Sequence, residues 1–219
     1  TVTNCDFKDI FYYAILFYAQ NKVYPCYRMK VLNCTFDNIE YALHSSGGTS
    51  QECVGFGGCI DSEFAYNTLT HIHKNGISIG TCKNILYHHN DIDVTGISTE
   101  AYGIYVIAGH TAVYDCTDIK IYNNYVHGNR QCIGIGNENE AGTTSKRVYI
   151  YNNIIAPTLS GYDGLEMFNQ VSGCYFEDVY FIHNTIYATC GSKCIHMHNI
   201  VTSSISRLSA ICIVRLLAS

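Results

Sequence analysis

Two short phrases place ionisable side chains where they could transfer a proton. Gly164-Leu-Glu-Met167 and Cys194-Ile-His-Met197 share one pattern: Gly or Cys, apolar, any residue, apolar. A period of two sends Leu and Met to one face of a strand, and Glu166 and His196 to the other. If the two phrases lie side by side as neighbouring strands, about 5 Å apart, a carboxylate and an imidazole can act together as acid and base. Gly103-Ile-Tyr-Val106 is an earlier copy and adds Tyr105 to the same outward column, with Ser78 and Gly134 at the equivalent places. An ordinary solvated face explains the same column without chemistry.

A second set of outward positions is rich in tyrosine. Tyr149 and Tyr180 fall at one position of a longer phrase, and Tyr122 and Tyr151 two residues further along. Such rings suit sugars, which offer C–H faces and hydroxyls together, and equally suit contact with a loop or a neighbouring subunit. The run Gly136-Asn-Glu-Asn-Glu140 offers the carboxylates of Glu138 and Glu140 and two amides, oxygen ligands of the kind calcium takes. A solvated polar loop is the other reading of that run.

The elements that must position these groups are strands. Ile119-Lys-Ile-Tyr-Asn-Asn-Tyr-Val126, Val148-Tyr-Ile-Tyr-Asn-Asn-Ile-Ile155 and Val179-Tyr-Phe-Ile-His-Asn-Thr-Ile186 are copies of one phrase, with looser copies from Val2, Val31, Phe64 and Ile85. Equivalent positions at Asn4, Asn33, Tyr66, His89, Asn123, Asn152 and His183 are 29, 33, 23, 34, 29 and 31 residues apart. Short strands at such intervals bury an apolar face only by stacking on their own copies, in parallel. The fold class expected is all-β, a parallel β-helix of about seven coils over residues 1–202. Residues 203–219 form a short C-terminal cap or an irregular last coil, and Ile205, Leu208, Ile211, Ile213 and Leu216 allow an amphipathic helix there. The seven equivalent positions are expected to point inward as a polar ladder, with Asn123 and Asn152 hydrogen-bonded to each other, next to a bend that asparagine tolerates. On this register Asn33, in the sequon Asn33-Cys-Thr35, faces inward and stays unmodified.

The repeats resemble those of the right-handed parallel β-helices of the pectate-lyase-like superfamily, over roughly residues 2–200. That resemblance implies the handedness and a polysaccharide lyase, hydrolase or epimerase, but the superfamily also contains spikes and inert structural coils. In its uronate-cleaving members, calcium or a basic residue neutralises the carboxylate beside the abstracted proton. Asn75-Gly-Ile-Ser-Ile-Gly80 looks like a polygalacturonase phrase, yet the adjacent aspartates and the Arg-Ile-Lys motif of that family are absent, so it reads as another copy of the repeat. Two functions stay open: a carbohydrate-binding or carbohydrate-active protein whose partner is a polysaccharide, and a structural or adhesive filament or spike whose partners are neighbouring subunits.

Composition narrows the rest. A net charge of −5 argues against a nucleic-acid partner, and no apolar run is long enough for a membrane span. The chain begins without Met and already in a strand pattern, as a processed product or an excerpt would. Twelve cysteines with no zinc-finger spacing suggest a secreted or cell-surface protein with disulfides. Cys5 and Cys34 share a repeat position, so they are expected either to bond or to form a buried reduced stack. Cys53 and Cys59, around Gly55, Gly57 and Gly58, are a second candidate pair.

Overall fold

The computed structural model describes all residues except 20–23, 40–51, 95–100, 110–114, 129–130, 138–141, 158–162, 170–172, 189–192, 199, 201–204 and 217–219. Every described secondary-structure element is a strand, and every described strand pair is parallel. The strands form one 15-stranded and one 7-stranded sheet, an all-β arrangement compatible with a parallel β-solenoid. No helix among the described residues is long and apolar enough to cross a membrane.

The chain visits three stacks in turn. Stack A holds Val2–Thr3, the two short strands Cys26–Tyr27 and Lys30–Leu32 on one rung, Cys59–Ala65, Lys83–His88, Cys116–Tyr122 and Thr144–Tyr151. Stack B holds Asp6–Ile10, Thr35–Ile39, Thr68–Ile72, Asp91–Val94, Tyr125–Gly128 and Ile154–Pro157. The 14-residue strand Tyr175–Ala188 runs through both and joins them into the large sheet. Stack C is the separate sheet: Ile15–Tyr18, Glu52–Gly57, Asn75–Gly80, Tyr102–Ala108, Gln131–Asn137, Leu165–Asn169 and Ile195–His198. Toward the end of the chain, Leu208–Leu216 adds a nine-residue strand beside Val179–Ala188, where a helix had been one possibility.

The inward positions of all three stacks make one continuous apolar core. Val31, Phe64, Tyr87, Ile121, Ile150 and Phe181 occupy successive rungs of stack A and are fully buried. β-Branched and aromatic side chains suit such a pleated, packed surface.

The polar ladder exists, but one residue later than the sequence register put it. Asn123 and Asn152 are exposed, and Asn124 and Asn153 are buried. Nδ2 of Asn67 donates to Asn90 Oδ1 at 3.1 Å, Asn90 to Asn124 at 2.9 Å, Asn124 to Asn153 at 3.0 Å and Asn153 to Asn184 at 2.9 Å. Each amide's second donation reaches a backbone carbonyl, as from Asn124 to Tyr87 at 3.1 Å. The reason for the shift is the bend itself. Asn4, Asn33, Tyr66, His89, Asn123, Asn152 and His183 all adopt left-handed backbone, with φ between 52° and 59°. That turn throws their own side chains outward and swings the next residue in. Asn33 is therefore exposed, contrary to the inward placement expected for the sequon.

Cys5 and Cys34 take the ladder position in the two earliest rungs, as the reduced stack. Each thiol donates to the carbonyl two residues back, at 3.3 Å to Thr3 and 3.3 Å to Leu32. No described pair of cysteines, Cys53 and Cys59 included, forms a disulfide. Cys53 belongs to stack C and Cys59 opens a stack A strand, with Gly58 in left-handed backbone just before it. Cys26, Cys59, Cys82 and Cys116 also lie on successive rungs of stack A, where burial pushes the Cys116 thiol up to about 12. Compact apolar packing, rather than crosslinking, accounts for these residues.

Candidate active site

The outer face of stack C carries the ionisable column in the expected order. Ser78 pairs with Tyr105, Tyr105 with Gly134, Gly134 with Glu166 and Glu166 with His196. Glu166 and His196 thus occupy neighbouring rungs, with His196 Nδ1 3.9 Å from Glu166 Oε1. Tyr105 is two rungs from Glu166. It is 6% exposed and stacked between Tyr102, at 4.5 Å, and Phe168, at 6.0 Å.

Three further residues belong to the site. Asp163 Oδ2 accepts a hydrogen bond from His196 Nδ1 at 2.7 Å. Lys193 Nζ lies against the imidazole, 3.0 Å from His196 Nε2 and 3.4 Å from Nδ1. The phenol of Tyr102 donates to Glu166 Oε2 at 2.5 Å. Asp163, which can only accept as a carboxylate, assigns the imidazole proton to Nδ1. Tyr102 reaches Glu166 by lying across Gly134, where a Cβ would come within 2.5 Å of its ring. Asp163, Tyr102 and Lys193 all fall just ahead of the repeated phrase, in the connection or at the strand's first residue. They share one repeat position with Asn75 and Gln131, where the residue type changes at each rung, so no single residue type marks it.

The arrangement is a carboxylate–imidazole pair beside a carboxylate–phenol pair, most of it out of water. Asp163 and Glu166 are each 6% exposed, whereas the His196 side chain is 25% exposed and Lys193 is open to solvent. His196 and Lys193 therefore form the mouth, and the two carboxylates and Tyr102 line the interior. An imidazole held by a buried carboxylate on one nitrogen is oriented to exchange a proton through the other.

The tyrosines of stack A are brought together as expected, and then use their faces on each other. Tyr149 stacks on Tyr180 at 5.0 Å and 7°, and Tyr122 on Tyr151 at 4.9 Å and 4°. His88 continues the second row, 4.7 Å from Tyr122, and donates Nε2–H to Glu63 at 3.2 Å. Burial lowers the pKa of His88 and raises those of Tyr122 and Tyr151. The faces turned toward each other within these rows are closed to a sugar. Glu138 and Glu140, the carboxylates assigned to calcium, lie outside the described residues.

No family model matches the chain, and neither the curated proteins nor the solved structures contain a match to it.

Proposed function

We propose that this chain is a secreted or cell-surface carbohydrate-active protein, a right-handed β-helix of about seven coils allied to the pectate-lyase-like superfamily. Its polysaccharide binds across the mouth formed by His196 and Lys193. The observation that carries this reading is the Asp163–His196 hydrogen bond, with Lys193 against the imidazole, beside the Tyr102–Glu166 hydrogen bond on one outer face.

Proton transfer at carbon is the reaction class these groups suit best, as in a lyase or an epimerase. His196, oriented by Asp163, takes the proton alpha to a uronate carboxylate through Nε2, and Lys193 swings onto that carboxylate to stabilise the charge that develops. A glycosidase nucleophile fits less well, because both carboxylates are buried and already hold a partner. Calcium on the connection bearing Glu138 and Glu140 is a further means of bridging an anionic chain to a net acidic protein.

The test is a polysaccharide panel read in two ways: ultraviolet absorbance of an unsaturated product, and deuterium incorporation in heavy water. Glu166→Gln and His196→Ala are expected to abolish whichever signal the parent gives. Wild-type turnover in both variants would remove the site. A structural or adhesive role is favoured by a different observation: Leu16, Tyr18, Tyr24 and Tyr27 are exposed in the earliest rungs, Tyr24 to 77%. End-to-end or lateral assembly in sedimentation, with no glycan bound at all, would decide for that role.

A further inference from the structure

We propose that Asp163, Glu166 and His196 form a binding site for one divalent transition-metal cation. One ligand atom from each of the three lies within 4.8 Å of the other two. An imidazole nitrogen with two carboxylate oxygens is a ligand set for zinc, cobalt or manganese, whereas calcium prefers oxygen alone.

Two observations independent of that clustering point to a ligand. Asp163 is 6% exposed, yet its Oδ1 has no hydrogen-bond partner, while Oδ2 is occupied by His196. A buried carboxylate oxygen left bare costs free energy that a cation would recover. Gln131 Oε1 is a second buried acceptor without a partner. Gln131 stands two residues before Ile133, and Asp163 two residues before Leu165, its partner in register. The backbone confirms the proximity, since Cys132 N donates to Asp163 O at 3.2 Å. Two bare acceptors therefore start from neighbouring rungs at the same corner.

Charge favours the same assignment. The two buried carboxylates repel each other at this separation, and a divalent ion neutralises both. Glu166 can hold a cation through Oε1 because Oε2 is occupied by the Tyr102 phenol, an outer hydrogen bond of the kind that orients metal ligands. Lys193 is the opposing group. It lies 3.0 Å from Nε2 and 3.4 Å from Nδ1 of the imidazole, and its exposed chain can turn into solvent. A cation at Nδ1 takes the place of the proton shared with Asp163, so a loaded pocket would stop turnover that depends on His196.

This assignment deepens the reading of the site as an acid–base centre but stands without a glycan. Cobalt(II) alone is the probe. Titration of the metal-free full chain is expected to give visible d–d absorption that saturates at one equivalent. Asp163→Asn and His196→Ala should each weaken binding at least tenfold while retaining the wild-type far-ultraviolet dichroism. Calcium in thousandfold excess should leave the absorption in place. Absence of a saturable band, equal affinity in either folded variant, or displacement by calcium would each overturn the proposal. Cobalt binding without glycan turnover removes only the glycan reading, and turnover without cobalt binding removes only this one.

Discussion

The corner between stacks A and B and the outer face of stack C are built from the same repeat, yet they treat polar groups in opposite ways. At the corner, each rung from Asn4-Cys5 to His183-Asn184 spends two residues, the first in left-handed backbone and the second turned inward. From Asn67 to Asn184 the buried amides satisfy one another and the backbone around them. On stack C the outward column changes at each rung: Gly55, Ser78, Tyr105, Gly134, Glu166, His196. There a buried carboxylate keeps one oxygen unpaired and a phenol crosses a glycine to reach a second carboxylate. Repetition specifies the fold. Departure from it, where the backbone already has its partners above and below, is where side chains can be arranged for chemistry.

Breaking the corner should have the largest effect on stability. Asn124→Leu removes the acceptor used by both Asn90 N and Asn90 Nδ2, and the donor to Tyr87 O. With buried groups costing about 1–3 kcal/mol each when orphaned, a loss of about 4 kcal/mol is expected in urea unfolding. Asn123→Leu, one residue earlier and exposed, should cost only about 1 kcal/mol through its left-handed backbone. Equal losses would mean that the ladder register is wrong.

Gly134→Ala sharpens the other half of the comparison. Its Cβ would meet the Tyr102 ring at 2.5 Å, so Tyr102 must move and Glu166 loses its phenol. We expect about 1–3 kcal/mol of destabilisation and a greater proportional loss of any glycan turnover. Unchanged turnover would separate Tyr102 from the site.

The smallest effect is expected on the outer face of stack B, at Asp37. Hydrogen bonds from His71 and Thr70, with help from Lys8, lower its pKa from 3.8 to about 2. Its stabilisation is therefore present above about pH 4 and lost as pH falls through about 2. The Asp37 side chain is 34% exposed, so screening keeps the contribution small. Urea midpoints measured from pH 5 to pH 2 should fall slightly less steeply in Asp37→Asn than in the parent.

Much of this architecture was legible because period and spacing recur. The phrases around Val148 and Glu166 define strands, and their copies define the pairing that brings Glu166 beside His196. The ladder was misplaced because doubled asparagines offer two registers that strand alternation cannot separate once a left-handed residue intervenes. Residue identity did hold the answer. Positions 67, 90, 124, 153 and 184 are all asparagine, whereas the neighbouring series includes Tyr66, His89 and His183, which cannot form an amide ladder. Two other left-handed columns, one through Asp61, Asn84 and Asp118 and one through Asp9, Asn38 and His71, fall inside strands, where simple alternation does not reveal them. Asp163 and Tyr102 were illegible for a related reason, since their roles come from long-range meetings across rungs.

The asparagine ladder also gives the molecule a direction. Each side-chain oxygen from Asn90 to Asn184 accepts from the rung before it, and each amide from Asn67 to Asn153 donates to the rung after it, without reversal. The side-chain dipoles therefore add head to tail along the stacking axis, each polarising the next. A rung is defined by what it accepts on one side and offers on the other. The rung that flanks the ladder has to match that polarity, as Cys34 does when its backbone N–H donates to Asn67 Oδ1.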